Sequence, residues 1–182
     1  PPTRSARCST RSYARENSRS ASSSRASTAL ATKGDIYVHG AKQIDMMTFL
    51  NIFRQVGGAF EVGDDGIRFW HPGGELRAMP LETDVHPGFM TDWQQPLVVA
   101  LTQASGLSII HETVYEDRLG YVRELTTMGA EVELFDTCLG GPACRFHDTT
   151  ALHSAVVRGV SKLRGAEVTI PDVRAGFSSV IA

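Results

Sequence analysis

Two stretches of the chain repeat the same order of apolar and polar positions. GDIYVHGAKQIDMMTFLNIFRQVGGAFEV, residues 34–62, aligns without gaps on GLSIIHETVYEDRLGYVRELTTMGAEVEL, residues 106–134. Each copy opens with a short β-rich run, passes through a loop, continues with apolar residues three or four positions apart, and ends in a second β-rich run. Because helices and strands differ in this periodicity, the pattern predicts strand, helix and strand in each copy.

The repeat predicts the bounds and buried faces of these elements. The predicted strands are Ile36–Val38, Ala59–Val62, Ser108–Ile110 and Glu131–Phe135. The buried helical stripes are Met47, Leu50, Phe53 and Val56 in the first copy, and Leu119, Val122, Leu125 and Met128 in the second. An aspartate near each helix start, Asp45 or Asp117, suits an N-cap, and a glycine at each end, Gly57 or Gly129, suits the left-handed C′ position.

A second correspondence lies outside the first one. TDWQQPLVVAL, residues 91–101, matches PDVRAGFSSVI, residues 171–181, and sets Asp92 against Asp172. Strand and helix elements therefore recur about every 70 to 80 residues, which predicts an α+β fold built of α/β repeats.

The N-terminal segment differs in composition from the rest. Residues 1–29 contain nine serines and six arginines with one acid, Glu16, so we predict a disordered or aberrant leader there and a domain over 30–182. The repeat calls for an Asp-led helix around residues 14–29, and its absence favours foreign or out-of-frame sequence over a transit peptide or a basic tail. The chain starts with Pro1 rather than Met, which indicates a fragment.

Composition narrows the functional classes. The formal net charge is -2, and because the bulk of the chain is acidic, we predict no nucleic-acid binding. The sequence has no apolar run of membrane-spanning length, so we predict no membrane partner. Three cysteines give no paired disulfide framework for a chain of this size, which favours a reducing compartment.

Asp92 is the first candidate for chemistry. Thr91-Asp92-Trp93-Gln94 fits a capping box, in which the Thr hydroxyl bonds an orphan amide and the Gln side chain reaches back. Capping and the helix dipole explain an acid at this position. A carboxylate held at a helix tip can also orient or deprotonate a hydroxyl group. Spacing leaves both interpretations open.

Two further groups of charged residues stand at predicted loops. The segment HETVYEDR, residues 111–118, follows a strand; Arg118 has no counterpart in the first copy and predicts a surface ion pair or an anion contact. His111 repeats His39, which favours a scaffold role. Asp172 and Arg174, at a predicted helix start, suit either capping or recognition of a phosphate or carboxylate.

The segment CLGGPACRFH contains Cys138, Cys144 and His147. It could be a partial zinc knuckle, but it lacks a second close pair and four ligands. A hairpin insertion is the plainer interpretation, so we predict no metal site.

Residues 30–182 resemble the C-terminal half of the UDP-N-acetylglucosamine 1-carboxyvinyltransferase family of enolpyruvyl transferases. Five segments carry the resemblance: TDWQQ, ETVYEDR, MGAEVE, VVRGVSKLRGAEV and DVRAGFSSVIA. The resemblance implies an inside-out α/β barrel domain of βαβαββ-type units, incomplete here. It implies transfer of the enolpyruvyl group of phosphoenolpyruvate to the 3′-hydroxyl of UDP-N-acetylglucosamine, in the cytoplasm, with no metal or organic cofactor.

The resemblance also implies roles for individual residues. Asp92 falls on the aspartate that binds the sugar hydroxyl and serves as its base, and Thr91 and Val114 fall on substrate-binding positions. Further substrate-binding positions in the cleft are Arg118, Asp172 and Arg174, whereas Asp117 replaces a usual asparagine.

The family's N-terminal catalytic half is absent from the chain, so the resemblance implies no activity for this chain alone. Two alternatives stay open. One is a non-catalytic module that binds a nucleotide sugar or a protein. The other is a transferase like 5-enolpyruvylshikimate-3-phosphate synthase.

Overall fold

The computed structural model describes residues 19–139, 144–170 and 173–182, the side chains of 173–175 excepted. The helices are α1 (19–31), α2 (Met47–Val56), α3 (Thr91–Leu101), α4 (Val122–Thr127) and α5 (Val173–Ile181). The strands are β1 (Asp35–His39), β2 (Ala59–Val62), β3 (Gly66–Trp70), β4 (Leu76–Arg77), β5 (Pro80–Glu82), β6 (Ala104–His111), β7 (Glu131–Phe135) and β8 (Ser154–Gly159).

The sequence repeat is a structural repeat. The first copy forms an antiparallel sheet of order β1-β3-β2, and the second forms the same order, β6-β8-β7, within a larger sheet. Phe69 lies between Ile36 and Phe60 in the first sheet, as Val157 lies between the matching residues Ser108 and Val132 in the second. All four predicted strands are confirmed.

The second copy is extended by parallel strands. Both β4 and β5 pair with β6 in parallel, and α3 connects β5 to β6. Elements β5-α3-β6-α4-β7-β8 therefore make one complete βαβαββ unit, which confirms the predicted α+β class.

The core surrounds α3. All its residues from Trp93 to Leu101 are buried, as expected for a helix enclosed on every side. Trp93 packs edge-on against Phe49 of α2 and against Phe89, at ring-centroid distances of 5.7 Å and 5.5 Å. None of the helices in residues 19–139, 144–170 and 173–182 has the length and apolar character of a membrane span.

The helix ends were predicted correctly and the helix starts were not. Gly57 and Gly129 have φ of 117° and 102°, which is the left-handed region expected after a helix. Neither predicted aspartate cap forms. Asp45 closes a 3-10 turn ahead of α2 and pairs with Arg19, and Asp117 precedes the 3-10 turn Arg118–Tyr121 without a side-chain cap bond.

One buried position was also assigned wrongly. Leu50, Phe53 and Val56 are buried as predicted, but Phe49 joins them and Met47 is 46% exposed. The 3-10 turn ahead of α2 shifts the start of the helix relative to the sequence pattern.

Residues 19–29 depart from the prediction of a disordered leader, because they form most of α1. Ala26, Ala29 and Leu30 join the common core. Ser23 and Ser24 both donate hydroxyl hydrogen bonds to the Ser20 carbonyl, at 2.8 Å and 2.9 Å. Such back-bonding satisfies the hydroxyl groups of a serine-rich helix, so small polar side chains pack where large apolar ones were expected. Residues 1–18 lie outside the described part of the chain.

Candidate active site

Asp92 is the second residue of α3 and forms an ion pair with Arg118. The Arg118 side chain is 4% exposed and that of Asp92 is 23% exposed. The guanidinium carbon of Arg118 also lies 5.3 Å from the centre of the Tyr115 ring. The structure thus brings two of the predicted site residues together, with the carboxylate at the solvent boundary and the cation beneath it.

The predicted capping box does not form. Met90 holds the N-cap position and makes no side-chain cap bond. Thr91 Oγ1 and Gln94 Nε2 instead donate to the same oxygen of Glu112, each at 2.8 Å. A buried carboxylate attracts these donors because charge-assisted hydrogen bonds are stronger than neutral ones.

Glu112 accepts the hydrogen bonds that hold this site together. It is fully buried, and its second carboxylate oxygen accepts the amide hydrogens of Val114 and Tyr115, both at 2.8 Å. The carboxylate therefore has four donors and fixes the loop after β6 to the tip of α3. Burial, with the charge of Glu112, raises the pKa of Tyr121, whose hydroxyl group donates to Gln94 at 3.3 Å.

The loop is also fastened to Thr83, the residue that follows β5. Thr113 donates its amide to Thr83 Oγ1 at 2.9 Å and its hydroxyl group to the Thr83 carbonyl at 2.5 Å. Val114, predicted to bind substrate through its backbone, therefore lies in a segment held on both sides. Its amide hydrogen is engaged by Glu112.

Of the other predicted site residues, Arg174 belongs to α5. This helix packs along α3, which brings the two matched helices of the second sequence correspondence together. Asp172 and the side chain of Arg174 lie outside the described part, so their roles stay predictions.

The cysteine segment differs from the local zinc knuckle considered from sequence. Cys138 Sγ lies 3.5 Å from Cys144 Sγ, but His147 is 55% exposed on its side chain and contacts Asp148. His153, which sequence reasoning missed, approaches Cys138 Sγ to 3.3 Å through Nε2. The signal available was a histidine at a strand end on either side of the cysteines, His111 and His153.

Sequence reasoning also missed Glu112. Its signal was an acid immediately after a buried strand, with hydrogen-bond donors at the tip of the preceding helix.

The fold is that of the enolpyruvyl transferases. The structure superposes on the enolpyruvyl transferase NikO from Streptomyces tendae with a TM-score of 0.69 at 17% identity, covering 87% of this chain and 35% of that one. The EPSP synthase from Acinetobacter baumannii gives a TM-score of 0.51 at 14% identity, over 86% and 36% of the two chains.

The sequence assigns the chain to a family. A family model described as EPSP synthase (3-phosphoshikimate 1-carboxyvinyltransferase) matches residues 6–182, and the chain belongs to this family. The match takes in most of the segment that composition sets apart as a leader.

Curated relatives refine the resemblance. UDP-N-acetylglucosamine 1-carboxyvinyltransferase of Protochlamydia amoebophila is 53% identical over 154 residues, which are 85% of this chain and 33% of the relative. Proteins of the same name from Chlamydia trachomatis and Desulforapulum autotrophicum are 46% and 37% identical over 154 residues, again 85% of this chain, and 35% and 33% of their own lengths. The resemblance predicted from sequence is confirmed, and the chain spans about a third of the length of these relatives.

Proposed function

We propose that this chain supplies the acceptor-binding part of an enzyme that transfers the enolpyruvyl group of phosphoenolpyruvate to the 3′-hydroxyl of UDP-N-acetylglucosamine. This reaction is the first committed step of peptidoglycan synthesis and takes place in the cytoplasm. The observation that carries the proposal is the partly exposed Asp92 carboxylate at the tip of α3, held by Arg118. The relatives at 46–53% identity carry the name of this activity.

Asp92 would act as the base for the acceptor hydroxyl group. As the hydroxyl oxygen bonds to C2 of phosphoenolpyruvate, C3 gains a proton and Asp92 accepts the hydroxyl proton. Loss of phosphate from C2 and of a proton from C3 then restores the double bond. Arg118 would hold the carboxylate in place, because a guanidinium group pairs with it through directed hydrogen bonds.

The acceptor would lie against the loop fixed by Glu112. Since the Val114 amide hydrogen is engaged by Glu112 at 2.8 Å, the backbone contact to the nucleotide sugar falls to the Val114 carbonyl oxygen. Thr91 stays a proposed substrate contact through its place at the helix tip. Asp172 and Arg174 would complete the cleft from α5.

The chain alone would release no phosphate from phosphoenolpyruvate. Two anionic substrates need a cationic cleft, whereas the net charge of the chain is -2 and residues 1–29 hold six of its 18 basic side chains. In the full-length relatives, the two thirds of the sequence that this chain does not span would supply the missing cations and the loop that closes on phosphoenolpyruvate.

A chimera tests the proposal directly. Residues 19–182, which include all of α1, replace the corresponding segment of the Protochlamydia amoebophila relative, and phosphate release from phosphoenolpyruvate is measured with either UDP-N-acetylglucosamine or shikimate 3-phosphate. We expect turnover with the nucleotide sugar only. Turnover with shikimate 3-phosphate would identify the other enolpyruvyl transferase reaction and overturn the proposed acceptor.

The 182-residue chain by itself provides the companion measurement. Phosphate release by this chain alone would overturn its proposed inactivity. A folded chimera that binds UDP-N-acetylglucosamine but never turns over would favour a non-catalytic binding module instead.

A further inference from the structure

Four metal-ligating side chains converge beside the loop that holds Val114. His111 ends β6, Cys138 and Cys144 belong to the connection between β7 and β8, and His153 directly precedes β8. One ligand atom from each lies within 4.8 Å of every other. Both histidines are 1% exposed and both cysteines are half-buried, so the cluster is shielded by the fold.

Both imidazole rings are oriented as metal ligands. His111 Nδ1 lies 2.9 Å from a Glu82 carboxylate oxygen, and His153 Nδ1 lies 2.8 Å from the Ala151 carbonyl. A ring that donates from Nδ1 presents the lone pair of Nε2 on its other side, and such outer partners are typical of histidines that bind metals. The buried Nε2 of His111 has no hydrogen-bond partner among the described residues.

The spacing fits a tetrahedral ion. Zinc bonds of about 2.3 Å to sulfur and about 2.0–2.1 Å to nitrogen place two sulfurs about 3.8 Å apart, and a sulfur and a nitrogen about 3.6 Å apart. The two sulfurs are 3.5 Å apart, and Cys138 Sγ lies 3.3 Å from His153 Nε2. These two contacts need only a small expansion to admit zinc, whereas a disulfide of about 2.05 Å needs a much closer approach of the two sulfurs.

The donor set has the right chemistry and charge. Two thiolates and two neutral imidazoles neutralise a divalent cation, which suits a half-buried position. All four positions come from protein side chains, which is the mark of a structural rather than a catalytic zinc site.

We propose that His111, Cys138, Cys144 and His153 bind a structural zinc ion that fastens the β7–β8 connection to the end of β6. This site lies outside the proposed chemistry and was not predicted from the sequence. It adjoins the candidate active site, because the Glu112 amide donates to the His153 carbonyl at 2.8 Å. Bound zinc would therefore stiffen the segment that carries Glu112 and Val114.

Metal content of the 182-residue chain, purified under reducing conditions, tests the site. We expect one zinc per chain by elemental analysis, and loss of most of it in Cys138→Ser and in His153→Gln. His147→Ala is the matched control, because His147 is close in sequence but points to Asp148, and it should keep the zinc. Equal zinc in all four proteins, or none in the wild type after zinc is added back, would overturn the proposal.

Cobalt substitution and thiol counting keep the test independent of how the variants fold. Cobalt added to the chelator-treated wild type should give the visible bands of a tetrahedral ion and a near-ultraviolet thiolate band. The unfolded, chelated chain should show three reactive thiols, equal to its cysteine content. One reactive thiol would indicate a Cys138–Cys144 disulfide and contradict a zinc site.

Hydrogen exchange locates the effect of the metal. Removal of zinc should speed exchange of the Val114 and Tyr115 amides by at least about tenfold, since local opening becomes easier. The β1–β3 sheet of the first repeat serves as the internal reference and should not change. Equal acceleration in both repeats would mean that the metal binds elsewhere or stabilises the chain only globally.

Discussion

Each repeat has an ion pair that joins the preceding helix to the loop before its own helix, with the charges exchanged. In the first, Arg19 of α1 pairs with Asp45 of the loop before α2, and the two side chains are 11% and 16% exposed. In the second, Asp92 of α3 pairs with Arg118 of the loop before α4. The scaffold thus accommodates such a pair in either orientation, with both residues of the second pair one position further along in the alignment of the repeats. Of these two pairs, only the second puts its acid on the helix and leaves it 23% exposed.

The two repeats also differ in the connection between their last two strands, which is longer in the second repeat. In the first, residues 63–65 join β2 to β3, and His39 is exposed beside Asp65 at 2.9 Å. In the second, residues 136–153 join β7 to β8 and help to bury His111. The longer connection of the second repeat thus contributes to a buried polar cluster beside the site, whereas the first repeat has a short hairpin.

The largest effect on stability is expected at Glu112, whose counterpart in the first repeat is Gly40. Replacing Glu112 with Ala removes the acceptor for four donors, each of which costs about 1 kcal/mol or more when left unsatisfied. We predict a loss of about 4 kcal/mol in the free energy of unfolding, measured with urea. The matched variant Glu116→Ala removes an exposed acid of the same loop and should leave the midpoint unchanged. Equal midpoints for the two variants would refute the bonding role of Glu112.

The exchanged ion pairs offer a second comparison. Arg118→Met and Arg19→Met each leave a largely buried carboxylate without its guanidinium group, so each should cost about 3 kcal/mol in urea unfolding. Only Arg118→Met should also impair the chimera, with a clear fall in kcat/KM for UDP-N-acetylglucosamine. A similar fall in both variants would show that the first repeat contributes to the site as much as the second.

The glycines after α2 and α4 give the smallest expected effects. An alanine at either position must adopt the left-handed conformation, which costs about 1–2 kcal/mol. At Gly129 the added Cβ would also lie 2.9 Å from the Lys162 carbonyl oxygen, whereas at Gly57 its nearest neighbour is at 3.4 Å. We therefore predict that Gly129→Ala lowers the free energy of unfolding more than Gly57→Ala does. A larger loss for Gly57→Ala than for Gly129→Ala in urea unfolding would mean that the backbone around Lys162 moves aside at little cost.

The sequence predicted most of the repeated scaffold. Ala59–Val62 and Glu131–Phe135 match β2 and β7 residue for residue, because apolar alternation and flanking glycines determine strands locally. The sequence-based prediction failed at α1, where Ser23 is buried with its hydroxyl group bonded to the Ser20 carbonyl. Composition scales count serine as polar, but a serine hydroxyl bonded to its own helix packs like a small apolar group.

The candidate site was predicted in part. Asp92 and Arg118 were both named, but their contact joins residues far apart in the chain and depends on the packing of α3 against the loop after β6. Glu112 and His153 were missed for the same reason. Their partners come from other elements, so no local spacing reports them, and tertiary packing turned the predicted capping residues Thr91 and Gln94 towards Glu112.

The central claim is that Asp92, and not Asp45 of the ion pair in the first repeat, accepts the proton of the acceptor hydroxyl group. A single-turnover measurement on the chimera tests it, with both substrates saturating and Asp92→Asn compared with Asp45→Asn. We predict that Asp92→Asn still binds UDP-N-acetylglucosamine within a few-fold of wild type yet forms product at least about a hundredfold more slowly, as expected for loss of a general base. Asp45→Asn should react at the wild-type rate. Product formation by Asp92→Asn at the wild-type rate would contradict the account.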